Sequence, residues 1–229
     1  MITRKLWGSA TLCLITTGLW LVLMIVSISN TGSITTIEEA IGSVMNPGIL
    51  FYLSYINAVF VTITATVFFV YLYSYCKSLD SEWSLMGMVF VPVYSILNLL
   101  VYFSQITVIP RLITLMNTHQ HSEVYKAILG QFIQGWSGSV VSVMNQLAYA
   151  VLGIPSIIFG TILVKHKRIS TLGGWLLALN GLSCIVGVIG TAAGSQALAI
   201  GSVAGGALFL FSLAVIAGRI YSGRSREVS

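Results

Sequence analysis

From residue 169 to residue 218 the chain runs without one charged side chain. About 20 helical residues cross a hydrocarbon core about 30 Å thick, so this stretch is too long for one crossing and must double back. Ala192, Ala193, Gly194 and Ser195 supply the small residues for a tight turn between two spans. The rest of the 229-residue chain fits that reading. Charged residues are 7% and hydrophobic ones 56%, with a mean hydropathy of +0.94. Soluble domains carry about 25% charged residues. So few charges cannot cover a water-facing surface, and lipid is the expected solvent.

The expected fold class is an all-α integral membrane protein, a single polytopic domain over 1–229. Six transmembrane helices are expected at about 7–29, 48–76, 83–108, 138–164, 172–192 and 196–218. The N-terminal apolar run lacks an A-x-A-like cleavage site and reads as a retained first helix. Arg4, Lys5, Lys77, Lys165, Lys167, Arg168, Arg219, Arg224 and Arg226 then share one side, and of the 11 basic residues only Arg111 and Lys126 fall opposite. By the positive-inside rule this predicts a cell-membrane protein with both termini cytoplasmic. The basic residues form short clusters beside apolar segments, without aromatic interleaving, so nucleic acid is not an expected partner.

Two connections on the outer side are long enough to carry structure. Thr36 and Glu39 have capping-box spacing, Ile37, Ala40, Ile41 and Val44 share a face, and Pro47 marks a stop. Tyr125, Ile128, Leu129, Phe132, Ile133 and Trp136 recur at steps of three and four, which predicts an amphipathic helix from Glu123 to Trp136. One or two interfacial helices are therefore expected. Between them, His119, His121 and Glu123 are of metal-ligating type, but alternate positions converge only in extended backbone. No metal or other cofactor is expected. Cys13, Cys76 and Cys184 lie in apolar stretches with no CxxC spacing and read as small helical residues.

The chemistry sits in the spans. Tyr94, Ser95, Asn98, Tyr102 and Gln105 share one face of span three, and Ser142, Asn145, Gln146 and Tyr149 form a similar set in span four. Span two offers Tyr55, Asn57, Thr62, Thr64 and Thr66, and span five Asn180 and Ser183. Amides in hydrocarbon are costly unless hydrogen-bonded, so these faces are expected to turn inward and meet. Two uses follow from the same residues. Either they bond helix to helix, or they line a cavity that orients a ligand. The candidate ligand-binding set is Ser95, Asn98, Tyr102, Gln105, Asn145, Gln146 and Tyr149.

No Asp, Glu, Lys, Arg or His lies within the core of any expected span, which argues against proton- or ion-coupled transport. No HExxH, phosphate loop or serine–histidine–acid set is present, so catalysis is not expected. Pro92 and Pro155 lie inside spans three and four, and kinks there are expected to open space between the cytoplasmic halves of those spans. Spans five and six are rich in glycine, with Gly201 and Gly205 at small-xxx-small spacing. The two spans, or a second copy of the chain, are expected to pack there. The leading functional expectation is binding or passage of a neutral or amphiphilic, lipid-like small molecule through an intramembrane polar cavity. The alternative is a non-catalytic structural or accessory subunit that assembles with partner membrane proteins.

Overall fold

The structure, a computed structural model, describes residues 2–31, 34–118, 122–167 and 169–225. Every regular element among them is α-helical: α1 (Ile2–Thr31), α2 (Ile37–Val44), α3 (Ile49–Cys76), α4 (Ser81–Thr118), α5 (Ser122–Phe132), α6 (Val140–Lys165), α7 (Thr171–Ala192) and α8 (Gln196–Ser225). Six of these, α1, α3, α4, α6, α7 and α8, are long and apolar enough to cross a membrane. Their outward faces are rows of exposed apolar side chains such as Ile15, Ile96 and Val203, the surface a lipid solvent requires. The architecture is that of a multi-pass membrane protein.

The six long helices form a closed ring in chain order. α1 packs on α3, α3 on α4, α4 on α6, α6 on α7, α7 on α8, and α8 returns to α1. Trp7 stacks on Tyr221 with ring centroids 6.3 Å apart, bringing the two chain ends together. Lys165 Nζ lies 3.9 Å from Asp80 Oδ2 at the same end. So exposed a pair contributes little stability, but it marks where α4 begins and α6 ends. The far end of the ring carries α2 and α5.

Local sequence explains the boundaries. Thr36 Oγ1 accepts from the Glu39 amide at 3.2 Å, and the Glu39 carboxylate accepts from the Thr35 amide at 2.7 Å, the Thr35 hydroxyl at 2.9 Å and the Thr36 amide at 3.1 Å. The capping box read from the sequence is thus complete. Those bonds, the Thr35 amide's first, hold the Glu39 carboxyl below its usual range. Ser139 and Ser170 cap α6 and α7, accepting from the amides of Ser142 at 2.9 Å and Gly173 at 3.0 Å. At the α7–α8 turn, Gly194 has φ +68°. Its amide donates to Thr191 O at 3.2 Å and the Ser195 amide to Gly190 O at 2.8 Å. That is a Schellman motif, which satisfies the carbonyls a helix end leaves open.

Two boundaries differ from the sequence reading. α4 does not stop near 108 but continues through Pro110 to Thr118. Its 38 residues make a rod of about 57 Å at 1.5 Å each. An interior proline costs about 3 kcal/mol. Here Ile109, Leu112 and Ile113 bury themselves in one cluster with Ala40, Ile41 and Val44 of α2 and Leu129 of α5, which offsets that cost. α5, by contrast, ends at Phe132 rather than Trp136, and residues 133 to 139 form turns. Leu129 and Ile133 are buried as the periodicity predicts, while Ile128 is exposed.

Glycine sets the spacing of α6, α7 and α8. A Cβ on Gly153 would lie 2.6 Å from Gly181 O, and one on Gly160 would lie 2.6 Å from Gly174 O. Gly187 and Gly190 meet the backbone of Ser202 and Ala199, and Gly201 lies under Ser183 O. The backbones touch, as they do at small-xxx-small contacts. These glycine faces are used within one chain.

Candidate functional site

At the centre of the ring lies a cavity of about 270 Å³. All six long helices contribute walls, including Thr17 and Trp20 from α1, Thr62 from α3, Asn98 from α4, Asn145 from α6, Asn180 from α7 and Ser202 from α8. Its floor, towards the end with the termini, is aromatic. Phe209 stacks on Phe69 with centroids 6.1 Å apart and meets Phe68 edge-on at 6.2 Å. Below it, Val91, Phe159, Leu177 and Leu213 close the bundle.

The prolines do not open the space expected of them. The cavity lies on the far side of both, beside Tyr94 to Tyr102 of α4 and Asn145 to Leu152 of α6. At the level the kinks were expected to part, a Cβ on Gly87 would stand 3.2 Å from both Ile158 and Phe159. Pro92 turns outward and is exposed. Phe159 and Ile158 fill the space beside Gly87.

Three asparagines define the polar part. Asn98, Asn145 and Asn180 are 1%, 7% and 2% exposed, and each has a buried side-chain oxygen with no hydrogen-bond partner. The Asn180 amide nitrogen is fixed, donating to Gly205 O at 2.9 Å and, more weakly, to Cys184 Sγ at 3.6 Å. A buried acceptor left unanswered costs about 1–3 kcal/mol. Four other polar side chains bond one another in pairs. The Tyr102 and Tyr149 hydroxyls share a hydrogen bond at 2.7 Å, and Ser202 donates to Gln146 Oε1 at 2.9 Å. Among the described residues, no Asp, Glu, Lys, Arg or His lines the cavity.

Of the residues singled out in the sequence, Asn98, Tyr102, Asn145, Gln146 and Tyr149 come together around this space. Ser95 and Gln105 do not. Ser95 Oγ bonds Val91 O at 2.8 Å and Thr66 Oγ1 at 2.6 Å, joining α4 to α3. Gln105 is fully buried and holds the end of α5: its Nε2 donates to Phe132 O at 2.8 Å, and its Oε1 accepts from the Gln134 amide at 3.1 Å. In α3, Thr62 lines the cavity, whereas Thr64 bonds Thr16 at 2.8 Å and Asn57 bonds Thr16 O at 3.1 Å. The polar faces thus divide between a cavity and helix-to-helix bonding.

The walls from α1 and α8 were not among the expected site residues. Thr17, Trp20, Leu21 and Met24 face Val203, Gly206, Ala207 and Leu210, and a mostly apolar wall leaves little polar signal to read. A second cavity of about 560 Å³ lies at the far end and shares Trp20, Met24, Ala58, Tyr102 and Gln134 with the first. Tyr55 donates to Gln134 Oε1 at 3.2 Å across that neck.

His119 and His121 lie outside the described residues, and Glu123 lies in the first turn of α5. Among the described residues no group of three His, Cys, Asp or Glu could hold a metal ion. Cys13, Cys76 and Cys184 are free and buried. No protein-family model, curated protein or solved structure matches this chain.

Proposed function

We propose that this protein binds, and passes between membrane and surface, a neutral or amphiphilic small molecule held in the central cavity. One observation carries the reading: three buried asparagines beside one cavity each present an oxygen that no protein group answers. Amides that serve only to bond helices would be expected to find their partners on neighbouring helices, as Gln105 does. At about 270 Å³ the cavity is just below the usual range of ligand pockets, which starts at about 300 Å³, and it adjoins the far-end cavity of about 560 Å³. Among the described residues its lining carries no Asp, Glu, Lys, Arg or His, which suits an uncharged guest.

In this reading the end with both termini faces the cytoplasm, because the basic residues cluster there. α2 and α5 then lie on the outer side, at the membrane surface. Several glycines of α6, α7 and α8 that could have met a partner pack instead on one another's helices, which favours this reading over an accessory role.

The test is to purify the protein in a mild detergent, extract it with organic solvent and identify what is retained by mass spectrometry. A neutral molecule at near one per chain, lost in an Asn98→Leu, Asn145→Leu double variant that still folds, is the expected result. Stoichiometric protein partners with no retained small molecule would sink the proposal in favour of the accessory role.

A further inference from the structure

We infer that the guest is a neutral lipid with a hydroxyl-bearing head, which reaches the cavity sideways between α1 and α8. This rests on the binding reading above and names its ligand and route. The head is specified by what the cavity lacks. Asn98, Asn145 and Asn180 each leave a carbonyl-type oxygen unanswered, so a complementary head must donate hydrogen bonds. An ammonium or metal cation also seeks such oxygens, but no carboxylate lines the cavity among the described residues. A bare charge without an opposite partner is costly in so apolar a place. Hydroxyls donate without that cost. A head with two or three of them, of the glycerol kind, matches three acceptors in about 270 Å³.

The route is specified by how α1 and α8 part. Near the chain ends they are joined: Trp7 stacks on Tyr221, and Leu6, Ala10 and Cys13 share one core with Leu213, Ile216 and Ile220. Towards the far end the same helices become cavity walls, with Leu21 and Met24 on one side and Val203, Ala207 and Leu210 on the other. Val203 lines the cavity and is 65% exposed. A wall residue left so open marks a slot. All five side chains are apolar, so an acyl chain can lie in the slot with its end in the bilayer while its head reaches the asparagines. The steps of four and three from Val203 to Ala207 to Leu210 keep one face of α8 along that path.

Gly206 offers a way to close the slot. It lines the cavity, and a Cβ built there meets nothing within 4 Å. A Gly206→Leu side chain therefore enters open space without forcing the backbone.

The experiment uses the full chain in lipid nanodiscs with a monoacylglycerol probe carrying a photoreactive group in its chain. Labelling is mapped by peptide mass spectrometry and competed with three compounds: plain monoacylglycerol, its di-O-methyl ether, and free glycerol. The expected result is labelling at Leu21, Val203, Ala207 or Leu210, with the ether at least tenfold weaker as a competitor. Gly206→Leu and Asn98→Leu, each checked for an unchanged melting profile, should each reduce labelling about tenfold. Equal competition by the ether overturns the donor requirement. Unchanged labelling in a folded Gly206→Leu protein overturns the lateral route. Competition by free glycerol with no probe labelling assigns the guest to the aqueous side, by way of the far-end cavity, and overturns the lipid while leaving the binding function standing. No labelling and no retained neutral molecule in the purified protein overturns both.

Discussion

The two ends of this helix ring are built from similar helices but reach opposite solutions. Near the chain termini, aromatic and aliphatic side chains fill the middle: Phe68, Phe69, Phe159 and Leu213 are fully buried in one core. Near α2 and α5, the middle is hollow and its walls carry asparagine, glutamine and tyrosine. Both ends keep polar groups. What differs is where the unanswered groups sit: single hydroxyls such as Ser84 and Ser156 at the packed end, and amide oxygens of three asparagines beside the hollow, while Gln105 nearby finds its partners. A polar stripe in a membrane helix therefore specifies no function by itself. Function depends on which of its members the packing leaves unanswered.

The contrast can be broken most violently at the seam between α6 and α7. Gly160→Val places methyl groups against Gly174 O and the Ala178 backbone, neither of which can yield. Overpacking of this kind costs about 3 kcal/mol, so a large fall in melting temperature and folded yield is expected. A melt indistinguishable from the parent would show that the helices stand further apart than described.

The next effect is at Gln105. Replacing it with Leu leaves Phe132 O and the Gln134 amide without their partner, at about 2 kcal/mol. That loss should be local. Proteolysis within residues 133 to 139 should quicken, and Trp136 fluorescence should shift, before the bundle melts. Simultaneous loss of both would instead join this end to the packed core.

Asn98→Leu should act far less. Removing its unanswered oxygen is close to neutral and losing its side-chain bond to Tyr94 costs about 1 kcal/mol, so a net change within about 1 kcal/mol is expected in protein stripped of its guest. A loss of more than 2 kcal/mol, on the scale of a broken buried hydrogen bond, would place Asn98 with the bonding residues. The smallest effect concerns pH. The Glu39 carboxyl is held below its ordinary value of 4.5, so its bonds to Thr35 and Thr36 contribute fully above that value and are lost as pH falls through the lowered one. Amide exchange in residues 37 to 44 should rise over that acidic window and stay flat above it, and Glu39→Gln should lose most of the dependence.

Much of this was legible in the sequence, for reasons that differ by region. Six spans follow from hydropathy alone, and the turn at Gly194 follows from a charge-free stretch too long to cross once. The inward turn of Asn98, Tyr102 and Gln105 follows from the cost of amides in hydrocarbon. The run of α4 through Pro110 was hidden because a local helix-breaking signal was outweighed by distant partners, Ile41 and Leu129 among them. The end of α5 was hidden too, since its apolar period continues after the helix stops and a side chain 27 residues away takes its carbonyl. The walls from α1 and α8 had little signature beyond Thr17 and Ser202. An apolar residue beside a cavity and one beside a lipid read alike.

The glycine contacts also have a mechanical meaning. Where backbones touch, there are no side-chain layers to slide, so α6, α7 and α8 behave as one stiff arc of the ring. α1 meets that arc through larger and more deformable groups, among them Trp7 stacked on Tyr221. Strain applied to the ring is then taken up on one side of its circumference. Widening of the slot reduces to a swing of α1 about its contact with Tyr221, against a frame that stays still.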